Sequence, residues 1–346
     1  MSNDRQKITL LYVGLSIAIL LLGLANLFFG SVTMPIAVVV RILCGQEVDN
    51  VVWETIVLQS RIPQMVTAIL SGGALAVAGL MLQTLFHNPL ADSSILGISA
   101  GANLGVALVM LSSGGLVGSW AFSFWSGLTA VLAALIGALF VLLIILYFSI
   151  KVRNNVLLLI IGIMVGYIAS SAIAFLNFFA TANRVQSFVM WGMGDFSSVT
   201  LQQLPLFSVV TLLGIGGAFM LVKPLNALLL GERYAANLGI KIKRVRWLIL
   251  LCTGLLTAVV TAYCGPISFI GLAVPHIARL LLSTSNHRVL LPVTALSGAV
   301  IALLCNLIST MPGYSGVLPL NVITPLLGTP VILYVILNRK NIHYFN

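Results

Sequence analysis

The stretch Arg61–Gly105, RIPQMVTAILSGGALAVAGLMLQTLFHNPLADSSILGISAGANLG, decides the fold. From Pro63 to Phe86 it carries no charged residue, and an apolar run of about 20 residues is enough to cross a bilayer as a helix. The polar turn His87–Ser94 interrupts the run, and a second apolar run follows, studded with Gly97, Gly101 and Gly105. A helix that faced only lipid would not need these, nor Gly72, Gly73, Gly79 and Gln83. Small residues let helix backbones approach where lipid removes the hydrophobic drive for association. The stretch therefore reads as two crossings, packed closely against other helices and joined by a shaped polar turn.

The rest of the chain repeats that character. With 60% hydrophobic and only 7% charged residues, and a mean hydropathy of +1.14, the composition excludes a soluble globular protein. A net charge of +10 would suggest nucleic acid in a soluble chain. Here the Lys and Arg residues are distributed between apolar runs, as expected of cytoplasmic loops, and not clustered on one face. Cys44, Cys252, Cys264 and Cys305 form no CxxC pair, and no histidines have metal-ligand spacing, so neither a disulfide framework nor a metal site is read. No GxxxxGK[ST] loop is present, which excludes nucleotide hydrolysis by that route. No cofactor is expected.

Taken in order, Ile8–Phe29 reads as an uncleaved first helix entering from inside, and Ser31–Ser60 as an external connection with one interfacial helix. Crossings then follow at 63–86, 95–111 and about 121–150, the last entered by Trp120 and Trp125 at the outer boundary after a turn at Gly114–Ser119. A fifth spans 156–180, and Thr181–Thr200 is an outer segment too polar to cross. Further crossings are read at 201–221, 247–264, 265–282, 289–311 and 320–337, with an outer turn at Pro312–Pro319. The charge distribution supports this order: only Arg41, Arg61 and Arg184 fall outside, and Arg339 and Lys340 end the chain inside. The expectation is an all-α polytopic membrane protein with ten transmembrane helices and cytoplasmic N- and C-termini. It forms one transmembrane domain over 1–346, with a long cytoplasmic loop at 223–246. Pro89 and Pro266, each following a long helix, mark corresponding points of two halves of opposite orientation.

Ionisable residues within the membrane usually mark ion-coupled transport, and few are read here. Asp92 falls in an inner turn, Asp195 in an outer segment, and Arg279 near a helix end from which it reaches the headgroups. His276, after Pro275, reads as a hydrogen-bonded structural residue. No nucleophile, base or metal constellation suggests a catalytic site. The loop segment Leu230–Gly239, LGERYAANLG, reads instead as a short helix between two glycines, with Ala235, Ala236 and Leu238 presenting a small apolar surface to a partner.

Several long motifs resemble the FecCD family of permeases from type II ABC importers, which carry iron-siderophores, haem or vitamin B12. They are RIPQ with GGALAVAGLMLQTLFHNPLADSSILGISAGANLG, LGERYAANLGI, GPISFIGLAVPHIARLLL, NHRVLLP and LLGTPVILYVIL. The resemblance covers roughly residues 10–340 in order. It implies a permease in the cytoplasmic (inner) membrane, in contact with lipid and without catalytic residues. Its partners would be a second permease subunit, normally an identical copy, two ABC ATPase subunits below and an extracytoplasmic substrate-binding protein outside. Carried onto this chain, Gly231, Glu232, Ala235, Ala236, Leu238 and Gly239 would couple to the ATPases. Asn88 and Leu90, with Asn154 and Asn155, would form the cytoplasmic gate, and Arg61 would meet an acidic residue of the binding protein. Several positions depart from the pattern: Gln64 and Thr310 replace arginines, Asn306 replaces an aspartate, and the Glu-Leu-Pro-x-Gly expected at the opening of the last helix reads Val317-Leu318-Pro319-Leu320-Asn321. The outer face is thus less basic than the resemblance leads one to expect. For the cargo we expect an iron chelate, siderophore or haem, as the commoner cargo of the family. The alternatives are vitamin B12 on the same architecture and, against the missing carboxylates, an ion-coupled secondary transporter.

Overall fold

The computed structural model describes residues 2–46, 48, 50–112, 126–152, 154–282, 284–311 and 317–337. The expectations for Gly114–Ser119, Trp120, Trp125, Arg339, Lys340 and most of the Pro312–Pro319 turn lie outside the described residues. Within them the chain is helical throughout its regular structure. The first helices are α1 (Ser2–Phe28), α2 (Ile36–Leu43), α3 (Val51–Thr55), α4 (Ile62–Phe86) and α5 (Ile98–Met110). Next come α6 (Ser126–Lys151), α7 (Asn155–Phe179), α8 (Ala182–Gly192), α9 (Leu204–Met220) and α10 (Val222–Leu229). The chain continues through α11 (Glu232–Asn237), α12 (Ile242–Cys264), α13 (Ile270–Leu282), α14 (His287–Ser309) and α15 (Leu320–Leu337).

One expectation changes at the entry to the central helix. The helical path begins at Val51, not Pro63, and runs unbroken for 36 residues to Phe86. Between α3 and α4 it widens into a π-type turn at Ile56–Arg61. Pro63 supplies the reason: it has no N–H to donate to the carbonyl four residues back, and the helix accommodates the missing bond by widening. The external connection is correspondingly shorter. It contains α2, and the buried side chains of Val39, Ile42 and Val57 pack with Met34 into a small satellite core.

The centre of the molecule is α4. In its most apolar window 78% of residues are buried, against 6% in α1 and 17% in α7. Glycine makes the enclosure possible. A Cβ on Gly72 would collide with Gly298 O of α14, and one on Gly298 would collide with Gly72 O, so the two backbones touch. Gly79 meets the Gly271 carbonyl of α13 in the same way, and Gly101 and Gly137 join α5 to α6 reciprocally. Each contact trades a side chain for close main-chain packing, which is how helices hold together in lipid.

The two proline-marked points share a plan. In each, a long helix (α4 or α12) ends, a proline-containing turn follows, and a left-handed residue starts a short helix of 13 residues. That residue is Gly97 (φ 76) before α5 and Phe269 (φ 69) before α13. Phe269 is a bulky residue in a region that suits glycine. The turn around it is pinned by Ser268 N–H donating to Asn321 Oδ1 at 3.0 Å.

Close packing at Gly72 predicts a position-specific sensitivity. Gly72→Ala or Gly298→Ala forces the α4–α14 crossing apart and destabilises the protein by about 1–3 kcal/mol, the usual cost of overpacking. Gly216→Ala, whose new methyl meets nothing within 4 Å, has no such cost. Thermal unfolding of the purified protein checks the contrast, and equal midpoints for the three variants would contradict it.

Candidate functional site: the inner turn, the coupling helix and the outer mouth

The inner turn is built by the end of α4. Its C-cap, His87, takes a left-handed conformation (φ 47), and its Nε2 lies 2.8 Å from Leu228 O of α10. Asn88 then folds the turn locally: its Oδ1 accepts from Leu90 N–H at 3.0 Å. Leu90 is left 44% exposed at the tip. Asp92 folds back into the protein, with Ser94 Oγ donating to its Oδ2 at 3.0 Å. Its carboxylate lies so close to Gly271 that no side chain fits there, and this burial raises its pKa above the usual carboxylate range.

Helix α13 clasps the same turn. His276 Nε2 lies 2.9 Å from Pro89 O, in the structural role read from the sequence. Arg279 corrects its expectation: it does not extend to the headgroups but is 3% exposed, and its Nη1 donates to Gln83 Oε1 at 2.6 Å. Gln83 in turn donates to Leu272 O at 3.3 Å. A guanidinium buried at this depth needs hydrogen-bond partners inside the protein, and Gln83 is one of them.

Helix α11 begins at Gly231, whose φ of 98° suits a residue without a side chain, and a second glycine, Gly239 (φ 83), ends the segment. The short helix between two glycines is thus present. The expected docking surface is there in part: Ala236 and Leu238 are exposed and Ala235 is not. Ala235 is fully buried against the protein's own core and cannot meet a partner. Ala236 is exposed, and Tyr234 (53%) and Leu238 (59%) are large exposed apolar side chains, four residues apart on one face. Glu232 is turned the other way. Its Oε1 accepts from Arg246 Nη2 and from Asn155 Nδ2, both at 2.9 Å. Asn154 caps α7, accepting from Val156 N–H at 2.8 Å. Asn155 follows on its first turn and also donates to Leu85 O at 2.9 Å. Sequence reasoning placed Glu232 in one group and Asn155 in another, and the structure joins them.

The outer mouth overturns a further expectation. Arg61 is not an exposed docking charge: it is 6% exposed. Its Nη1 donates to Leu27 O at 2.6 Å and Phe28 O at 3.0 Å, and its Nη2 to Val32 O at 2.5 Å. The first two carbonyls end α1 and lack intrahelical donors, and a cation at a helix C-terminus also complements the helix dipole. Gly30 leaves the space for the guanidinium. Gln64, Asn306 and Thr310, three of the departures from the expected pattern, lie together. Gln64 Nε2 donates to Asn306 Oδ1 at 3.0 Å, and Asn306 Nδ2 donates to Asn26 Oδ1 at 2.8 Å. Thr310 Oγ1 bonds Asn306 O at 3.0 Å. Where the family pattern has Arg and Asp, this chain has two amides that bond each other. No signal in the sequence pointed to Asn26.

Among the described residues no group of His, Cys, Asp or Glu could hold a metal. A cavity of about 220 Å³ between α13, α14 and α15 is lined by apolar side chains such as Phe269, Ile301 and Val331, with Thr324 as its polar member. It is neither large nor polar enough to carry a chelate.

A bundle of helices, six of them long and apolar enough to cross a membrane, with a polar turn and a short glycine-bounded helix beside it, is the architecture of a polytopic membrane protein. The model of the FecCD transport family matches residues 18–338, and the chain belongs to that family. It is 36% identical over 317 residues to the vitamin B12 import system permease protein BtuC of Citrobacter koseri, covering 90% of this chain and 93% of that one. It is 38% identical over 287 residues to the BtuC of Salmonella paratyphi A, covering 82% and 84%. A solved structure described as an inward-facing conformation of an ABC transporter assigned to the metal-chelate type superposes with a TM-score of 0.80 at 28% identity. The match covers 96% of this chain and 99% of that one. The chain is thus the non-catalytic, multi-pass permease of an ABC importer.

The Arg61 contacts predict a structural phenotype. Arg61→Met leaves carbonyls at the α1 terminus without donors, at about 1–3 kcal/mol for each buried acceptor left unmade. The unfolding midpoint of the purified protein should fall by several degrees, and an unchanged midpoint would mean that the guanidinium holds nothing.

Proposed function

We propose that the chain carries a cobalamin-type corrinoid across the cytoplasmic membrane, as one of two identical permease subunits driven by separate ATPases. The observation that carries the cargo reading is the similarity, over 90% of the chain, to proteins named as vitamin B12 import permeases. The structural relative of the metal-chelate type is compatible with it, since a corrinoid is a metal chelate. These similarities favour the corrinoid over the iron-siderophore or haem expected first.

The helices suffice for ten crossings with both termini on one side. Six are long and apolar, α9 and α10, bent by 50° at their junction, make a seventh when taken as one span, and α5, α13 and α15 are shorter apolar helices. In that topology α11 faces the cytoplasm, where Tyr234 and Leu238 form an exposed apolar pair suited to a groove on an ATPase. The inner turn with Asn88 and Leu90 narrows the cytoplasmic end of the path. A second copy is favoured by α7, the least buried helix after α1 among the long spans. It exposes Ser170 and Ser171 near its middle, and polar groups at that depth are better placed against protein or a wet path than against lipid. An extracytoplasmic binding protein would dock without an Arg61 ion pair, by contacts less sensitive to salt.

The cargo is tested in vesicles holding this permease with its ATPase and binding protein. Radiolabelled cyanocobalamin should accumulate, and unlabelled cobalamin, but not excess ferric siderophore or haem, should displace it. Accumulation of a ferric chelate with no cobalamin uptake would overturn the corrinoid reading and restore the iron one.

A further inference from the structure

Three elements meet at one amide. Asn155 sits on the first turn of α7, and its Nδ2 carries two hydrogens that go to two different places. One goes to Leu85 O in the last turn of α4, the other to Glu232 Oε1 at the start of α11, each at 2.9 Å. Both partners are acceptors only, so the amide nitrogen must face them. Leu85 lies three residues before Asn88 and five before Leu90, at the root of the inner turn. Glu232 is the first residue of the helix proposed to meet the ATPase. Its carboxylate is held a second time by Arg246 of α12, whose Nη1 also donates to Val152 O at 2.9 Å, between α6 and α7. The exposed face of α11 (Tyr234, Leu238) and this inward contact lie on the same short helix, so a push on one displaces the other.

We propose that Asn155 and Glu232 form a latch that transmits movement of α11 to the inner turn, by tying the coupling helix to the end of α4. The latch rests on the importer reading above and adds positioning residues to it. Asn155 spans the gap because it is short and fixed on a helix end, and its bond to a carboxylate is of the stronger, charge-assisted kind. Helices α4 and α11 have a shared partner in this side chain, and a rigid displacement of α11 pulls on Leu85 O through two hydrogen bonds in series.

The test uses the whole complex in vesicles and reads cargo imported per ATP hydrolysed, a ratio that mere loss of protein does not change. Asn155→Leu keeps the bulk and removes both bonds. The ratio should fall about fivefold or more, the low end for a coupling free energy between sites. Glu232→Gln keeps an acceptor oxygen for Asn155 and should retain more of the ratio than Glu232→Ala. If Asn155→Leu keeps the wild-type ratio, or the two Glu232 variants lose it equally, the latch is overturned, because Glu232 would then serve only its ion pair with Arg246. A second readout needs no turnover ratio: a thiol at exposed Leu90 (Leu90→Cys, with Cys44→Ser) should change its maleimide reactivity with ATP in the otherwise native protein. With Asn155→Leu added it should not. A wild-type complex without any ATP-dependent uptake would instead bring down the importer reading, and the latch with it.

Discussion

The contact of Gly72 with Gly298 sets the geometry of everything around it. Two backbones touch there because neither residue has a side chain, and in lipid such contact substitutes for the burial that drives water-soluble folds. Helix α4 is thereby drawn into the centre, and its far end is placed in register with α13 by a second crossing of the same kind, Gly79 on Gly271. That register brings the Asp92 carboxylate over Gly271, His276 to Pro89 O and Arg279 to Gln83. The inner turn is therefore not a loose connection. It is shaped from both sides by helices whose spacing the glycines define.

Polar groups follow the same economy. Arg61, Arg279 and Arg246 are all nearly buried, and each has hydrogen bonds to carbonyls or to polar side chains inside the protein. Charge that composition assigned to loops is used in part to hold helix ends together. At the outer mouth the Gln64–Asn306–Asn26 chain achieves the same connection between α1, α4 and α14 with neutral amides. Each amide of the trio has a hydrogen-bond partner in another, so the connection needs no charge.

The all-helical membrane class, the order of the apolar helices, the short glycine-bounded helix and the polar inner turn were legible in the sequence, because apolar length and Gly/Pro punctuation report them directly. The number of crossings was not, since among the described residues only six helices are long and apolar enough by themselves, or seven with the bent α9–α10 pair. Nor was depth. Arg61 and Ala235 were placed on the surface on the strength of residue type and loop position. Both are buried, because burial depends on which carbonyls and helices come near, information held in distant parts of the chain. The start of the helix at Val51 was hidden for a local reason: Pro63 looks like a helix beginning, yet a widened turn carries the helix past it. The Asn155–Glu232 bond joins residues 77 positions apart, and no periodic pattern connects them. Local geometry follows the punctuation at Gly231 and Gly239, which take positive φ, and at Asn88, which folds its own turn.

The central claim is that transport here is driven by ATP through a cytoplasmic partner and not by an ion gradient read within the membrane. The family membership supports it, and among the described residues Asp92 and Glu232 lie in an inner turn and on the short helix α11, outside the long apolar spans. The direct measurement is accumulation of labelled cobalamin in sealed vesicles that hold the full complex and ATP, with proton and sodium gradients collapsed by ionophores. The account predicts accumulation that continues after collapse and stops when ATP is replaced by a non-hydrolysable analogue. Uptake that stops with the gradients while ATP remains would contradict it.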